Sequence, residues 1–406
     1  MTYCHMPSEI SLPLLPVDTV EFSSDPDSYL ESARRRHAWL GRFSQGYVIY
    51  GYDAVLDLLR DDENLVPGLG PVVEFYGMEG TMWGRFMTEM VKTETGATHA
   101  RLRSSVVHAF TPRSANEVRE LQRRVINELL DDWVPKGELN FAYFASFYPV
   151  TVMCGLLGVS AKPVPRLRKA IEHHISSLTM NLETKQHFLP AWDELWEFAD
   201  SVIKAREASG EYDPAALLDS LIASKKSGKL DEDELRIMLL TVFIAGYDTT
   251  KNQLTMMMKL LLDHPQMYQR CAADKDFCRK VVEEALRHTS IATPYREVAK
   301  DFVYKGHEFY KGELVVCAPP LAGRDPAMFP EPLKFDPDRE NASRHLAFGR
   351  GSHMCLGMWI ARATLQEGIH VIAQRLKNPR LKGEIKWRSF LGAWGLLDLP
   401  IAFDSQ

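Results

Sequence analysis

The stretch of sequence that decides the fold lies near the C-terminus and reads Phe348-Gly349-Arg350-Gly351-Ser352-His353-Met354-Cys355-Leu356-Gly357. A helical pattern follows it, so we expect Cys355 at the start of a helix. Unpaired N–H groups and the positive dipole end of a helix stabilise a thiolate at that position. The glycines, Gly349 and Gly357 among them, permit backbone angles or close approaches that a side chain would forbid. A single cysteine without nearby ligand partners suits a metal that brings its other ligands with it.

The composition is that of a large globular protein. The chain has 406 residues, of which 45% are hydrophobic and 25% are charged, and this length would allow two or three domains. A net charge of −6 implies no general affinity for nucleic acid. The six scattered cysteines have no zinc-like spacing and suit a reducing cytoplasm. The N-terminus has no signal pattern, and the most apolar stretch, 237–246, is about half of the ~20 residues that span a membrane. We therefore expect a cytoplasmic protein without a membrane partner.

Helical periodicity dominates the chain, and the strand-like pieces are short. The predicted helices are 26–40, 52–61, 99–109, 114–133, 146–157, 164–178, 190–207, 214–225, 231–263, 265–270, 275–288 and 355–377. The predicted strands are 47–50, 302–304, 313–317 and 399–403. No stretch is long or polar enough for a linker, so residues 1–406 are predicted to form one mainly α domain with a small β part.

The predicted helix 231–263 is interrupted in composition at its centre, which reads Ala245-Gly246-Tyr247-Asp248-Thr249-Thr250. Glycine, aspartate and threonine are weak helix formers, so they cost stability in the middle of an apolar helix. A broken local rule inside a strong helix is where function is expected. The alternative is a helix kink with a solvated aspartate.

Together these two stretches resemble the cytochrome P-450 superfamily, the haem-thiolate monooxygenases. The spacing Phe-Gly-x-Gly-x-His-x-Cys-x-Gly carries the resemblance, against the alternative of an ordinary buried cysteine. It implies the cytochrome P-450 fold, with heme b (iron protoporphyrin IX) buried between the long central helix and the cysteine loop. Cys355 would be the axial iron ligand, and Phe348, Gly349, Gly357 and Ala245 would contact the haem. The sequence shows no membrane-anchor pattern, and in this respect it resembles the soluble, bacterial-type members of the superfamily.

The resemblance also gives the centre of the long helix a role. In the superfamily this segment crosses the distal face of the haem, where small residues leave room for O2 and substrate. It implies that Thr249 hydrogen-bonds the dioxygen and that Asp248 relays protons, both as catalytic residues. A positioned proton donor typically contributes ~10²–10⁴-fold to a rate.

Two further sets of residues match the family. His99 and Arg103 lie one helical turn apart, and together with Arg296 and His353 they are implied to bind the haem propionates. The stretch before His99, Thr95-Gly96-Ala97-Thr98, departs from the Asp-Pro-Pro of many bacterial members, so the shape of that loop is open. Glu284, Arg287 and Arg339 are implied to form a structural cluster that holds the cysteine loop.

We therefore expect an enzyme that inserts one oxygen atom from O2 into a small to mid-sized apolar organic substrate, by hydroxylation or epoxidation. The chain has no flavin or iron–sulfur motif, so electrons would come from a separate ferredoxin and its reductase, with NAD(P)H involved only indirectly. A peroxide-driven peroxygenase and a non-catalytic haem sensor or ligand carrier are the alternatives. The Asp248–Thr249 pair argues against the peroxygenase.

Two surfaces complete the expectations. A basic patch for an acidic ferredoxin is predicted from Arg101, His108, Arg113, Arg350 and Arg362. Substrate would be enclosed by a roof in the stretch 66–98 and by further apolar residues, although ordinary core packing is the alternative for each. The candidates are Phe75, Tyr76, Met82, Trp83, Leu178, Met180, Phe243, Ala245, Ile291, Ala292, Ala393 and Trp394.

Overall fold

A computed structural model describes residues 12–213 and 216–404, and helices make up most of it. Cys4 and the first residues of the predicted helix 214–225 lie outside the described residues. The helices are α1 (Val20–Ser24), α2 (Pro26–Arg34), α3 (Tyr52–Leu58), α4 (Gly70–Tyr76), α5 (Met82–Glu89), α6 (Gly96–Ser104), α7 (Pro112–Glu117), α8 (Arg119–Trp133), α9 (Phe141–Ala145), α10 (Phe147–Leu157), α11 (Val164–Ile175), α12 (Lys185–Ser209), α13 (Leu217–Lys226), α14 (Glu232–Leu262), α15 (Pro265–Ala273), α16 (Lys275–His288), α17 (Pro319–Ala322) and α18 (Met358–Arg375).

The strands are short and form small sheets. They are β1 (Leu40–Phe43), β2 (Gly46–Ile49), β3 (Leu65–Pro67), β4 (Glu138–Asn140), β5 (Ala292–Thr293), β6 (Tyr295–Val298), β7 (Phe302–Tyr304), β8 (His307–Phe309), β9 (Leu314–Cys317), β10 (Lys377–Leu381), β11 (Lys386–Trp387), β12 (Gly392–Ala393), β13 (Leu396–Asp398) and β14 (Pro400–Asp404). The largest sheet has the order β1-β2-β9-β6-β3. Strands β2 and β9 are parallel, with Gly46 opposite Leu314, and the other pairs in this sheet are antiparallel. The prediction of a mainly α fold with a small β part is confirmed.

Several helix boundaries were predicted wrongly, and two helices show the physical reason. The helix predicted over 26–40 ends at Arg34, because Leu40 begins β1 and pairs with Ile49 of β2. The helix predicted to begin at Cys355 begins only at Met358, and its last predicted residue, Lys377, belongs to β10. In both places a strand pairing or a tight loop, neither visible in local periodicity, overrides the helical pattern.

The long helix α14 is the centre of the core. Its first turn has a capping box in which the backbone N–H of Glu234 donates to Asp231 at 2.8 Å and the backbone N–H of Asp231 donates to Glu234 at 2.9 Å. Most of its residues are buried, on all sides of the helix. Among the described helices, none has the length and apolarity to cross a membrane.

A buried ion-pair cluster fixes the loops that precede Cys355. Arg287 of α16 pairs with Glu284 at 2.6 Å, and both side chains are fully buried. Arg287 also donates to the carbonyl oxygens of Gly323 and Lys334, and Arg339 donates to Glu284 at 3.3 Å. A Cβ at Gly323 would lie 2.1 Å from the carbonyl oxygen of Arg287, so only glycine fits there. These bonds tie α16 to the segment 323–339.

Candidate active site

The loop that carries Cys355 is closed by its own backbone. The N–H of Cys355 donates to the carbonyl oxygen of Phe348 at 2.9 Å, and the N–H of Gly349 donates to that of Leu346 at 2.9 Å. Gly349 and Gly351 have φ values of 67° and 76°, in the left-handed region that favours glycine. The chain therefore folds back around the cysteine as the glycine spacing predicts.

The electrostatic surroundings of Cys355 differ from the sequence-based expectation. Cys355 lies three residues before α18 begins, and burial raises the pKa of its thiol above the ordinary value. The N–H of Gly357, which donates to the sulfur, and the nearby Arg103 and Arg362 lower that pKa, but by less. Burial therefore outweighs the stabilisation of the thiolate by the N–H of Gly357 and the two arginines. A bound metal deprotonates a coordinating thiol by its own charge.

The thiol is nevertheless accessible. Cys355 is exposed, unlike Cys154, Cys271, Cys278 and Cys317, which are buried. The thiol of Cys355 is thus surrounded by protein, which raises its pKa, and still has accessible surface. It therefore faces a space inside the protein. A Cβ at Gly357 would meet no atom of the described residues within 4 Å, which leaves room for a flat group beside the sulfur.

The structure brings the four predicted propionate ligands together. The rings of His99 and His353 lie 4.3 Å apart, and Arg103 donates to the carbonyl oxygen of Met354 at 2.7 Å. Burial, helped by the charges of His99, Arg296 and Arg103 and opposed by that of Asp62, lowers the pKa of His353 to about 4. Burial likewise lowers the pKa of the other three. The cluster thus concentrates buried cationic and donor groups.

Three nitrogen atoms of this cluster have no hydrogen-bond partner among the described residues. Nε2 of His99, Nδ1 of His353 and Nε of Arg296 are buried and lack a partner within the described part of the chain. Buried polar atoms are rarely left unpaired. The nearest acid is Asp62, whose Oδ1 lies 4.0 Å from Nε2 of His353. Carboxylates of a bound group, such as the propionates of haem, fit these unused nitrogens.

The centre of α14 presents one accessible face. Ala245 and Thr249, four residues apart, are exposed, whereas Tyr247, Asp248 and Thr250 are buried. The hydroxyl of Thr249 donates to the carbonyl oxygen of Ala245 at 3.0 Å, the back-bonding expected of a threonine inside a helix. The same side of α14 that carries the small residue therefore carries an accessible hydroxyl.

Asp248 has a partner that the sequence did not indicate. Its carboxylate accepts a hydrogen bond from Arg388 at 2.9 Å, and its side chain is only 4% exposed. Arg388 is 140 residues away in sequence, between β11 and β12, and no motif marks it. Asp248 and Thr249 therefore point in different directions: the acid contacts Arg388 while the hydroxyl faces accessible space.

Most of the aromatic substrate-pocket candidates pack in the core. Tyr76 and Trp83 both contact Phe188 of α12, at ring distances of 4.9 Å. Phe243 is fully buried, and the indole of Trp394 donates to the carbonyl oxygen of Ser23 at 3.0 Å. These contacts place all four side chains in the core, and a role for them in a substrate pocket stays a prediction.

The remaining candidates are divided among several places. Met82 lies in a surface groove with Trp192 and Trp196. Phe75 and Met180 line an open groove of about 610 Å³ beside the β1–β2 turn. Ala245 is exposed on α14, whereas Leu178 and Ala292 are half-buried, and Ile291 and Ala393 are buried.

The predicted basic patch is largely neutralised. Arg101 pairs with Glu234 at 2.5 Å, Arg113 with Glu117 at 2.8 Å and Arg362 with Glu283 at 2.5 Å. His108 contacts the hydroxyl of Ser220 at 2.7 Å. Arg350 differs from these, because its guanidinium donates to the carbonyl oxygens of Gly349 and His345. Charge counting along the sequence overestimated the patch because it could not see these carboxylates.

Comparison with known proteins agrees with this geometry. The family model "Cytochrome P450" matches residues 39–386, which is most of the chain. The protein therefore belongs to the cytochrome P450 family. Family membership makes it an oxidoreductase and implies haem, whose iron and propionates fit the sulfur of Cys355 and the unused nitrogens of the cation cluster.

Relatives and solved structures extend over nearly the whole chain. Luteothin monooxygenase of Streptomyces thioluteus is 32% identical over 98% of this chain and 97% of its own. Mycinamicin IV hydroxylase/epoxidase of Micromonospora griseorubida is 30% identical over 87% of this chain and 90% of its own. A myxobacterial cytochrome P450 solved in complex with myristic acid superposes with a TM-score of 0.87 at 25% identity, over 96% of this chain and 99% of its own.

Proposed function

We propose that this chain, as one domain, is a haem-thiolate monooxygenase that inserts one oxygen atom from O2 into a small to mid-sized apolar organic substrate. The observation that carries the proposal is the accessible sulfur of Cys355 in a glycine-closed loop, close to a cluster of two arginines and two histidines with unused nitrogens. One hydrophobic core cluster extends from Leu15 to Phe403, which supports a single domain. The names of the two relatives, a luteothin monooxygenase and a mycinamicin IV hydroxylase/epoxidase, support oxygen insertion by hydroxylation or epoxidation.

Haem, when bound, supplies the site that activates dioxygen with two electrons. The protein's own groups have the remaining tasks. Cys355 provides the thiolate ligand, and His99, Arg103, Arg296 and His353 hold the propionates. The hydroxyl of Thr249 donates to the carbonyl oxygen of Ala245 in this structure, and it would have to turn its proton away from that oxygen to donate a hydrogen bond to the dioxygen substrate. Because Asp248 contacts Arg388 and not Thr249, proton transfer between the two residues requires a bridging water or rotation of the carboxylate.

The direct test is the source of the inserted oxygen. A ferredoxin and ferredoxin reductase with NAD(P)H would be supplied to the haem-loaded protein, together with a substrate found in a spectral-shift screen of apolar compounds. We expect product that contains one labelled oxygen atom from isotopically labelled O2. Product formed only from hydrogen peroxide would establish the peroxygenase instead, and binding without turnover under either condition would establish a sensor or carrier.

Replacing Thr249 by alanine should uncouple reductant use from product formation. The hydroxyl that guides the proton is lost, so reduced oxygen should leave largely as hydrogen peroxide while substrate still binds. We expect the fraction of electrons recovered in product to fall by about tenfold or more, which is less than the ~10²–10⁴-fold that a positioned proton donor contributes to a rate. Product and peroxide are measured against NAD(P)H consumed.

The matched control is Thr250→Ala, which removes the same hydroxyl from the buried face of α14. It should keep its coupling close to that of the parent. Asp248→Asn should slow turnover with less peroxide release. If Thr249→Ala recovered as many electrons in product as the parent while Thr250→Ala recovered fewer, the proton-guiding hydroxyl would be that of Thr250.

The electron donor should dock by charge near the cysteine loop. Affinity for an acidic ferredoxin should fall as salt rises, because charges are screened over about 8 Å at physiological ionic strength. Arg350→Glu should weaken binding by about fivefold, equivalent to ~1 kcal/mol. Arg113→Glu should have a smaller effect, because Glu117 already neutralises Arg113. Binding that responds neither to salt nor to Arg350→Glu would exclude this surface.

A further inference from the structure

A buried ion pair joins the centre of α14 to the segment that follows β11. Nη1 of Arg388 donates to Oδ1 of Asp248 at 2.9 Å, and the two side chains are 15% and 4% exposed. Among the described residues, neither side chain has a second ion-pair partner. The charge of Asp248 is therefore compensated by this one guanidinium.

The backbone of Arg388 is fixed independently of the ion pair. Its N–H donates to the carbonyl oxygen of Gly395 at 3.1 Å. A Cβ at Gly395 would lie 2.4 Å from Oδ1 of Asn252, so the segment 388–395 lies directly on α14. Asn252 in turn donates to the carbonyl oxygen of Asp248 at 2.9 Å, one helical turn earlier. Because both backbones are held by these contacts, the ion pair can open only by rotation of a side chain.

The ion pair directs Asp248 away from Thr249. Successive residues of a helix point about 100° apart, and here Asp248 is buried whereas Thr249 is exposed on the accessible face of α14. The carboxylate must therefore leave Arg388 before it can contact the hydroxyl of Thr249. Little water reaches Asp248 to replace the lost hydrogen bond, and a buried charge without its partner is strongly disfavoured. The departure of the carboxylate is thus a barrier between the two positions of the acid.

We propose that Arg388 is a positioning residue of the proton relay. It holds Asp248 away from Thr249, and the departure of the carboxylate from Arg388 limits proton delivery during turnover. This inference rests on the proposed function, which supplies the relay, and deepens it by naming the residue that regulates the acid. Arg388 acts on the reaction only through Asp248.

The test is the rate of NAD(P)H consumption with substrate and saturating ferredoxin, measured in H2O and in D2O. Arg388→Gln leaves only a neutral hydrogen-bond donor beside Asp248, so the carboxylate should leave more readily. Turnover should rise by about fivefold, the difference between a charged and a neutral hydrogen bond. The parent should turn over at nearly equal rates in the two solvents, because rotation of a side chain limits it. Arg388→Gln should be slower in D2O, because proton transfer then becomes limiting.

Two further variants separate positioning from a structural role. Arg388→Lys keeps a charged donor and should restore most of the parental rate and solvent behaviour. Asp248→Asn combined with Arg388→Gln should turn over at the rate of Asp248→Asn alone, because Arg388 has no acid left to hold.

The matched control is Arg206→Gln on α12. Arg206 pairs with Asp219 of α13 at 2.6 Å, and their side chains are 17% and 3% exposed, close to the values of the Arg388–Asp248 pair. Arg206→Gln and Arg388→Gln should both lower the midpoint of urea unfolding, but Arg206→Gln should leave turnover and its solvent behaviour unchanged. The unfolding shifts of Asp248→Asn and Arg388→Gln should not be additive in the double variant, as expected of residues in contact.

Arg388→Gln turnover no faster than that of the parent would overturn the proposal, and would favour a relay through a bridging water that needs no departure of the acid. A parental rate that is much slower in D2O, an accelerated rate that persists without Asp248, or additive unfolding shifts would each overturn it as well. Failure of the proposed function is recognised separately, by product of the parent that lacks labelled oxygen from O2. The unfolding shifts do not depend on turnover and would still report on the ion pair.

Discussion

Cys355→His is expected to abolish monooxygenase turnover while haem remains bound. The imidazole can ligate iron, and the four residues proposed to hold the propionates are unchanged, so haem content should stay near one per chain. The electron-rich thiolate that favours O–O cleavage is lost, and product formation should fall to the background of the haem-free protein. Product is measured with the ferredoxin system, and haem content by its absorbance after extraction.

The control for this change is Cys154→Ala, which removes a buried thiol on α10. It should retain turnover, although it can lower stability through the small cavity that it leaves. If Cys355→His retained the activity of the parent, or if Cys154→Ala lost it to the same extent with its haem in place, Cys355 could not be the ligand on which the chemistry depends.

Glu284→Gln is expected to have the largest effect on folding. It removes the charge that compensates Arg287, and both side chains are fully buried. Breaking one partner of a buried ion pair typically costs ~3–5 kcal/mol, because the other charge stays buried without compensation. Arg339 and the N–H of Asp336 also lose part of their acceptor. The midpoint of urea unfolding should fall strongly at unchanged slope.

The matched control is Glu31→Gln on α2. Glu31 pairs with Arg35, and the two side chains are 70% and 74% exposed. An exposed ion pair contributes at most ~1 kcal/mol, so the unfolding midpoint should hardly move. Equal shifts in the two variants would show that Glu284 does not hold the segment 323–339 in the way its contacts indicate.

The sequence predicted those parts of the candidate site that depend on residues close together in the chain. The glycine spacing around Cys355 requires a tight loop, and the weak helix formers at 245–250 mark the accessible centre of α14. The spacing of His99 and Arg103 places both on one helix face. In each case the physical requirement is met within a few residues, so a single stretch of sequence is enough to reveal it.

The sequence could not predict contacts between distant segments. Arg388 reaches Asp248 because β11 and β12 pass beside α14, and nothing near residue 388 indicates this. The ring of Trp83 stacks on Phe188 and the indole of Trp394 donates to the carbonyl oxygen of Ser23, and no local pattern indicates either contact. Short strands such as β5 and β12 were missed because two residues are too few to show an alternating pattern.

The central claim is that the thiolate of Cys355 ligates the haem iron. The most direct measurement is the absorption spectrum of the parent protein after reduction with dithionite and saturation with carbon monoxide. We predict the strongly red-shifted Soret band of thiolate-ligated haem, and its loss in Cys355→His. A Soret band at the position of histidine-ligated haem in the freshly prepared parent, or a red-shifted band that persists in Cys355→His, would contradict the claim.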